Sequence, residues 1–242
     1  MARELKQAAY AERANEVTGL LNDPAVNQYE HSVVWPIMEN LFPENPATVL
    51  DFGCGSGYFT GLLADRFPVA KITGTDSSPA MLDEAKQSDA RIAWQVWDGI
   101  ERPPEDWERK FDLVVCKMVL HYISDLRRVV NNLVAVTSET GKVVVSVPHP
   151  GETMYFNDRK KLGDEYDISR QYHGTGTYQR EIGSTGVKAT MFHRRITDWT
   201  RPFERHGLGL RDFEEPCKDG QPKRLILGFS RLPNWLVSEE VL

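Results

Sequence analysis

Residues 49–60, Val49-Leu-Asp-Phe-Gly-Cys-Gly-Ser-Gly-Tyr-Phe-Thr60, run a short apolar segment into three glycines spaced two apart. Val49, Leu50 and Phe52 read as a strand, and Gly53, Gly55 and Gly57 remove Cβ atoms where the chain must turn sharply and let a ligand press on the backbone. Beyond Ser56, Phe59, Leu62, Leu63 and Phe67 recur at helical spacing, so the loop should deliver its amides to a helix N-terminus. Such an end favours a carboxylate or another electron-rich group.

Glycine turns of this kind also serve dinucleotides, and the third glycine separates the cases. In the dinucleotide fingerprint it falls three residues after the second, where this chain has Tyr58, too bulky for the same close helix-to-strand and pyrophosphate approach. The pattern Asp51-x-Gly53-x-Gly55-x-Gly57, with the acid inside the strand end, resembles the first motif of class I S-adenosylmethionine-dependent methyltransferases. By motif order the resemblance covers residues 48–147, and a helix-strand-strand finish extends it toward the chain end.

The rest of the chain agrees with that class in its rhythm. Strands are expected at 48–53, 71–76, 91–97, 111–116 and 142–147, with helices at 56–67, 79–88 and 125–136 between them, which demands a parallel sheet. A strand over 187–195, a helix over 197–206 and strands over 208–213 and 223–230 follow. The expected fold is α/β, a Rossmann-like seven-stranded mostly parallel sheet with helices on both faces. Residues 1–46 read as a helical N-terminal prefix that caps a methyltransferase domain over 47–242, with Pro36 kinking the prefix or starting its second piece. Within that domain 149–186 breaks the rhythm as a lid-like insertion before the last strands.

Composition narrows the partners. A formal charge of −6 and 40% hydrophobic residues describe an ordinary acidic globular protein, without general attraction to nucleic acid or an anionic membrane. No apolar run of membrane-spanning length and no signal-peptide core is present, so the expected location is cytoplasmic. Cys54, Cys116 and Cys217 stand too far apart to suggest a metal site or a disulfide framework, and no metal is expected. The chain is expected to act as a monomer or homodimer.

The resemblance implies S-adenosyl-L-methionine as cofactor and S-adenosyl-L-homocysteine as product. It places Asp51, Gly53, Cys54, Gly55 and Gly57 against the cofactor. Asp76, nineteen residues beyond Gly57 at the end of the second strand, would accept from the two ribose hydroxyls, with Ser77 beside it. Met81 either pads the adenine or packs in the core. Asp98 would accept from the adenine amino group, the Gly99 amide would meet a ring nitrogen, and Trp97 would flank the purine or join the core. Lys117 stands at the edge of the transfer site, and Tyr29, with Tyr10, is an aromatic candidate to close the methionine end.

His121 follows the fourth strand and reads either as a general base or as a cofactor wall. The segment 116–122 lacks the Asn/Asp-Pro-Pro-aromatic signature of enzymes that methylate amino groups of DNA, which favours a small-molecule acceptor. In the insertion, Tyr155, Tyr172 and Tyr178, with His149 at its start, are candidates for substrate binding, and His173 and His193 are further candidate bases. The insertion reads equally as a surface excursion pinned by its aromatics. The expected reaction is direct in-line methyl transfer. Two alternatives keep the cofactor: another transfer or a cyclisation that releases 5′-methylthioadenosine, and binding without catalysis.

Overall fold

The structure is a computed structural model, and it describes residues 23, 27–154, 172–174, 176–181 and 188–232. Strand β1 (Thr48–Phe52) is central because it pairs in parallel with both β2 (Lys71–Asp76) and β4 (Phe111–Lys117). β3 (Ala93–Val96) lies outside β2 and β5 (Thr137–Pro148) outside β4, again in parallel. β11 (Arg224–Arg231) then runs antiparallel between β5 and β8 (Leu208–Glu214), completing a seven-stranded sheet of order β3-β2-β1-β4-β5-β11-β8. The order reverses between β1 and β4, and ligands of open α/β sheets bind beyond the strand C-termini at such a reversal.

Helices cover both faces because the strand side chains alternate. Leu50 and Phe52 pack with Val114, Cys116 and Val145 against α4 (Leu126–Val136) and α6 (Ile196–Glu204). On the other face Val49, Leu113 and Val115 meet α2 (Tyr58–Arg66) and the prefix. The described prefix is a π-helical turn, Glu30–Val34, continued by α1 (Trp35–Asn40), with Pro36 in its first turn where no amide is needed. Val34, Trp35, Met38, Leu41 and Phe42 bury themselves against Leu63 and Phe67, which seats this segment on the domain. The helical stretch expected over 2–21, with Tyr10, lies outside the described residues.

α3 (Pro79–Ser88) starts as its sequence suggests: the Ser78 side chain accepts the Met81 amide at 3.4 Å, and Pro79 takes the first turn. The Asp125 side chain caps α4 through the Arg128 amide at 3.1 Å.

The strand predicted at 187–195 is β7 (Lys188–His193), and it does not join the main sheet. It pairs antiparallel with β6 (Gly176–Glu181), a strand absent from the sequence reading. Tyr178, Ala189 and Met191 of this hairpin pack on Met81 and Tyr122, so it lies over the C-terminal end of the sheet. Cross-strand pairing between segments that read as loop and as strand is what the local pattern did not carry. After β7 come α6, β8, a short hairpin of β9 (Cys217–Lys218) and β10 (Gln221–Pro222), and β11; α5 (Pro150–Thr153) is a single turn after β5. Among the described residues, no helix is long and apolar enough to cross a membrane.

Candidate cofactor and acceptor site

The glycine loop is built by backbone bonds to the neighbouring strand. The Gly53 and Cys54 amides both donate to the Thr75 carbonyl, at 2.7 and 2.8 Å, and the Gly57 amide returns to the Cys54 carbonyl at 3.1 Å. Gly53 has a left-handed φ of 75°, and a Cβ there would stand 2.3 Å from Val119 Cγ2, so no side chain fits. Trp94 lies across Gly74 and Gly57; its ring would stand 2.4 and 2.7 Å from Cβ atoms added at those positions. This is why β3 can close against the loop.

Asp76 ends β2 beside that loop. Its Oδ2 accepts the Gly55 amide at 3.0 Å and its Oδ1 the Ser78 amide at 2.8 Å. Burial raises its pKa, opposed by the amides of Ser78, Gly55 and Ser77. Met81 is buried, and its Cε would stand 3.5 Å from a Cβ on Gly55, so the methionine lines the same cradle. Asp98 Oδ1 accepts the amides of Ile100 and Glu101 at 2.8 and 3.1 Å, which fixes the carboxylate at the end of β3. Gly99 must lack a side chain because Phe52 would stand 2.7 Å from its Cβ.

Of the two readings of Trp97, purine flank or core, the structure takes the second. The Trp97 ring meets Phe52 and Trp107 edge-on at 5.4 and 5.6 Å, and its indole N–H donates to the Glu101 carbonyl at 3.0 Å. The indole is anchored below the sheet, where area burial outweighs a place in the crevice.

Asp51 is fully buried inside β1, with Thr60 of α2 donating to its Oδ2 at 2.6 Å. Burial pushes its pKa up to about 6, against the Thr60 hydrogen bond and the Lys117 charge, which lower it. Cys54 is half-buried in the loop and its thiol is raised well above its ordinary value by burial and by Asp51 and Asp76. Burial therefore holds the Cys54 thiol protonated, whereas Asp51 gives up its proton as pH rises through about 6.

Lys117 ends β4 with its ammonium 2.6 Å from Glu30 Oε2 and 3.5 Å above the Phe59 ring. Met118, next in the chain, has a positive φ of 55°, a strained conformation for a side-chain-bearing residue. Tyr29 approaches from the prefix, donating to the Pro216 carbonyl at 2.8 Å, with the Arg224 guanidinium 5.9 Å over its ring. Glu30, Arg224 and Glu152, all close to this edge, were missed by the sequence reading. Nothing local marks them, since Glu30 and Arg224 are 194 positions apart when they meet.

The histidines carry definite hydrogen-bonding roles. His149 Nδ1 accepts the Gly151 amide at 2.9 Å, so its proton is on Nε2, which faces Glu215 Oε1 at 2.7 Å. His193 Nε2 donates to the Tyr172 carbonyl at 3.1 Å, which leaves Nδ1 to accept from Thr153 Oγ1 at 2.6 Å; burial lowers its pKa and keeps it neutral. His121 is buried in the turn Leu120–Tyr122, its ring centroid 4.0 Å from that of Tyr122. Arg194 braces this turn by donating to the carbonyls of Leu120, Ile123 and Ser124. Tyr178 is buried in the hairpin with its pKa raised by burial, Tyr172 accepts the Ile196 amide, and Tyr155 lies outside the described residues.

A loop that excludes side chains, a half-buried carboxylate beside it at a strand end in an α/β crevice, and a thioether lining the cradle fit a nucleoside with a short amino-acid tail. Comparison with known proteins agrees. A family model described as a methyltransferase domain matches residues 50–143. A trans-aconitate 2-methyltransferase of Escherichia fergusonii is 37% identical over 222 residues, covering 78% of this chain and 85% of that protein. The chain is a class I S-adenosylmethionine-dependent methyltransferase. The methyltransferase is also 29% identical over 146 residues to a malonyl-[acyl-carrier protein] O-methyltransferase of Anoxybacillus flavithermus, covering 60% of this chain. Against that protein and two further curated relatives, the chain spans only 39–52% of their length. The solved complex of DhpI with S-adenosylhomocysteine shares the fold of the methyltransferase, with a TM-score of 0.63, 18% identity and coverage of 96% of this chain and 98% of that one. S-adenosylmethionine is the cofactor, and it supplies a methyl group already bonded to a sulfonium leaving group.

Proposed function

We propose that this methyltransferase esterifies a carboxylate of a small acidic acceptor, of which trans-aconitate is the first to test. The observation that carries the reading is the state of His149 and His193, whose ring nitrogens are all engaged in hydrogen bonds. A hydroxyl or amine acceptor must lose a proton, whereas a carboxylate arrives at neutral pH without one and needs no base. The names of two relatives support the same chemistry, since aconitate is a tricarboxylic acid and a malonyl thioester ends in a free carboxylate.

In this reading the Asp76 carboxylate receives the ribose hydroxyls through its second lone pairs, Met81 pads the adenine, and Asp98 with the Gly99 amide reads the adenine edge. Gly53, Cys54, Gly55 and Gly57, at the entry to α2, accommodate the amino-acid tail. The β6–β7 hairpin excludes water above the crevice, and alignment of the acceptor oxygen supplies the rate enhancement.

The test is incubation of the full chain with S-adenosylmethionine and trans-aconitate, following S-adenosylhomocysteine and an ester that alkali hydrolyses to methanol. Both products are expected, with no loss of rate on the acid side of neutrality of the kind that protonating a histidine base would cause. Turnover confined to phenols or amines, with none for di- and tricarboxylates, would overturn the reading.

A further inference from the structure

The chain holds a carboxylate of its own at the same edge of the sheet. Glu30, in the π-helical turn of the prefix, is only 8% exposed and lies between two cations. Its Oε2 is 2.6 Å from Lys117 Nζ, and its Oε1 is 2.7 Å from both Nε and Nη2 of Arg224. Arg224 Nη1 is committed elsewhere, donating to the Lys223 carbonyl at 2.8 Å and standing 3.5 Å from Glu152 Oε2. The free edge of the guanidinium fork, Nε with Nη2, is therefore the part given to Glu30.

The two cations belong to the scaffold and the carboxylate to a peripheral segment. Lys117 is opposite Ser146 in the β4–β5 ladder and Arg224 opposite Pro148 in the β5–β11 ladder, so both sit where the parallel strands end, with Lys117 the nearer to Asp51 of β1. Glu30 comes from outside the sheet on a turn whose wide hydrogen-bond pattern is uncommon and clusters at functional sites. A largely buried cluster of Lys117 and Arg224 with Glu30, and with Glu152 beyond it, is costly to assemble as a structural device, and apolar residues would pack there at less cost. A planar fork and an ammonium are the groups suited to recognising a carboxylate.

We propose that Lys117 and Arg224 form a seat for a ligand carboxylate, that Glu30 fills the seat in the free enzyme, and that the ligand displaces it. The carboxylate can come from the acceptor or from the aminobutyrate end of the cofactor. The first source rests on the carboxylate-acceptor reading above. In either case Glu30 is a competitor within the chain, so it lowers the apparent affinity for the ligand by the fraction of molecules in which it occupies the seat.

The test uses the full-length wild type and Glu30→Gln, an isosteric change that removes the competing charge. Binding of trans-aconitate, of its trimethyl ester and of S-adenosylhomocysteine is measured by calorimetry, together with thermal unfolding. The variant is expected to unfold at a lower temperature without ligand, and to bind one of the two carboxylate ligands about tenfold more tightly than wild type. The ester should gain nothing. A gain for trans-aconitate identifies the acceptor as the source, and a gain for S-adenosylhomocysteine identifies the cofactor. Equal affinities in wild type and variant for both ligands overturn the proposal. Should Glu30→Gln not fold, Arg224→Lys keeps the charge and removes the fork, and is expected to weaken one carboxylate ligand about tenfold; unchanged affinity for both overturns it. A wild type that does not methylate trans-aconitate sinks the acceptor reading alone, whereas turnover without any affinity change in the variants sinks the seat alone.

Discussion

Asp76 and Gly55 are joined directly: the Gly55 amide donates to Asp76 Oδ2 at 3.0 Å, so the acid that ends β2 also holds the glycine loop in place. Asp76→Asn keeps the shape but loses the charge and one acceptor edge. Hydrogen bonds to a charged acceptor contribute about 1.5–3 kcal/mol each, so S-adenosylhomocysteine affinity is expected to fall at least tenfold. Both carboxylate oxygens accept backbone amides in the fold, so folding stability should fall as well. Calorimetric titration beside urea unfolding separates the two, and an unchanged affinity would remove Asp76 from the cofactor site.

Two glycines of the loop should respond differently to alanine. At Gly53 a Cβ would meet Val119 Cγ2 at 2.3 Å, whereas at Gly55 the nearest contact is Met81 Cε at 3.5 Å. Both have positive φ, which costs an L-residue roughly 1–2 kcal/mol, but only Gly53→Ala adds overpacking of about 1–3 kcal/mol. Gly53→Ala is expected to unfold at distinctly lower denaturant than Gly55→Ala. Equal midpoints would mean that Val119 yields without cost.

Asp51 makes a pH prediction. Its native pKa of about 6 lies above the ordinary aspartate value of 3.8, so between these pH values the native state holds a proton that the unfolded chain has released. The contribution of the group to stability is therefore present at low pH and is lost as pH rises through about 6, a change of about 3 kcal/mol. The difference in unfolding free energy between wild type and Asp51→Asn should decline from acid to neutral pH and then level off. A difference independent of pH would contradict the burial argument.

Arg194 braces the turn that carries His121, with its guanidinium on three backbone carbonyls and its pKa lowered by burial to about 10. Arg194→Met fills similar volume and leaves those carbonyls without their donor. A loss of about 2–4 kcal/mol is expected, because a guanidinium serving three backbone carbonyls is removed without a replacement donor. An unaltered melting temperature would show that water replaces the guanidinium.

The cradle was legible because its signals are local. Gly53, Gly55 and Gly57 mark positive φ, Ser78 and Pro79 mark a helix start, and the alternation of apolar strands with helices dictates a parallel sheet with ligand-binding ends. Asp76 and Asp98 stand where β2 and β3 finish, as their sequence positions suggest, and the structure puts Asp76 on the loop amide. The place of Trp97 and the pairing of β7 with β6 were not legible for one reason. Whether an aromatic or a strand belongs to crevice, core or hairpin depends on partners that lie elsewhere in the chain, here Phe52 and Trp107 for Trp97 and β6 for β7.

The sequence by itself determined the fold class and the glycine loop, because backbone sterics, capping and periodicity act over a few residues, and the resemblance of its motifs to class I methyltransferases implied the cofactor. Only the tertiary structure decided that His149 and His193 are committed hydrogen-bonding partners, and that Glu30, Lys117 and Arg224 share one buried site. Those outcomes follow from desolvation and charge pairing, whose strength is set by distance in space and by loss of water, and separation along the chain records neither.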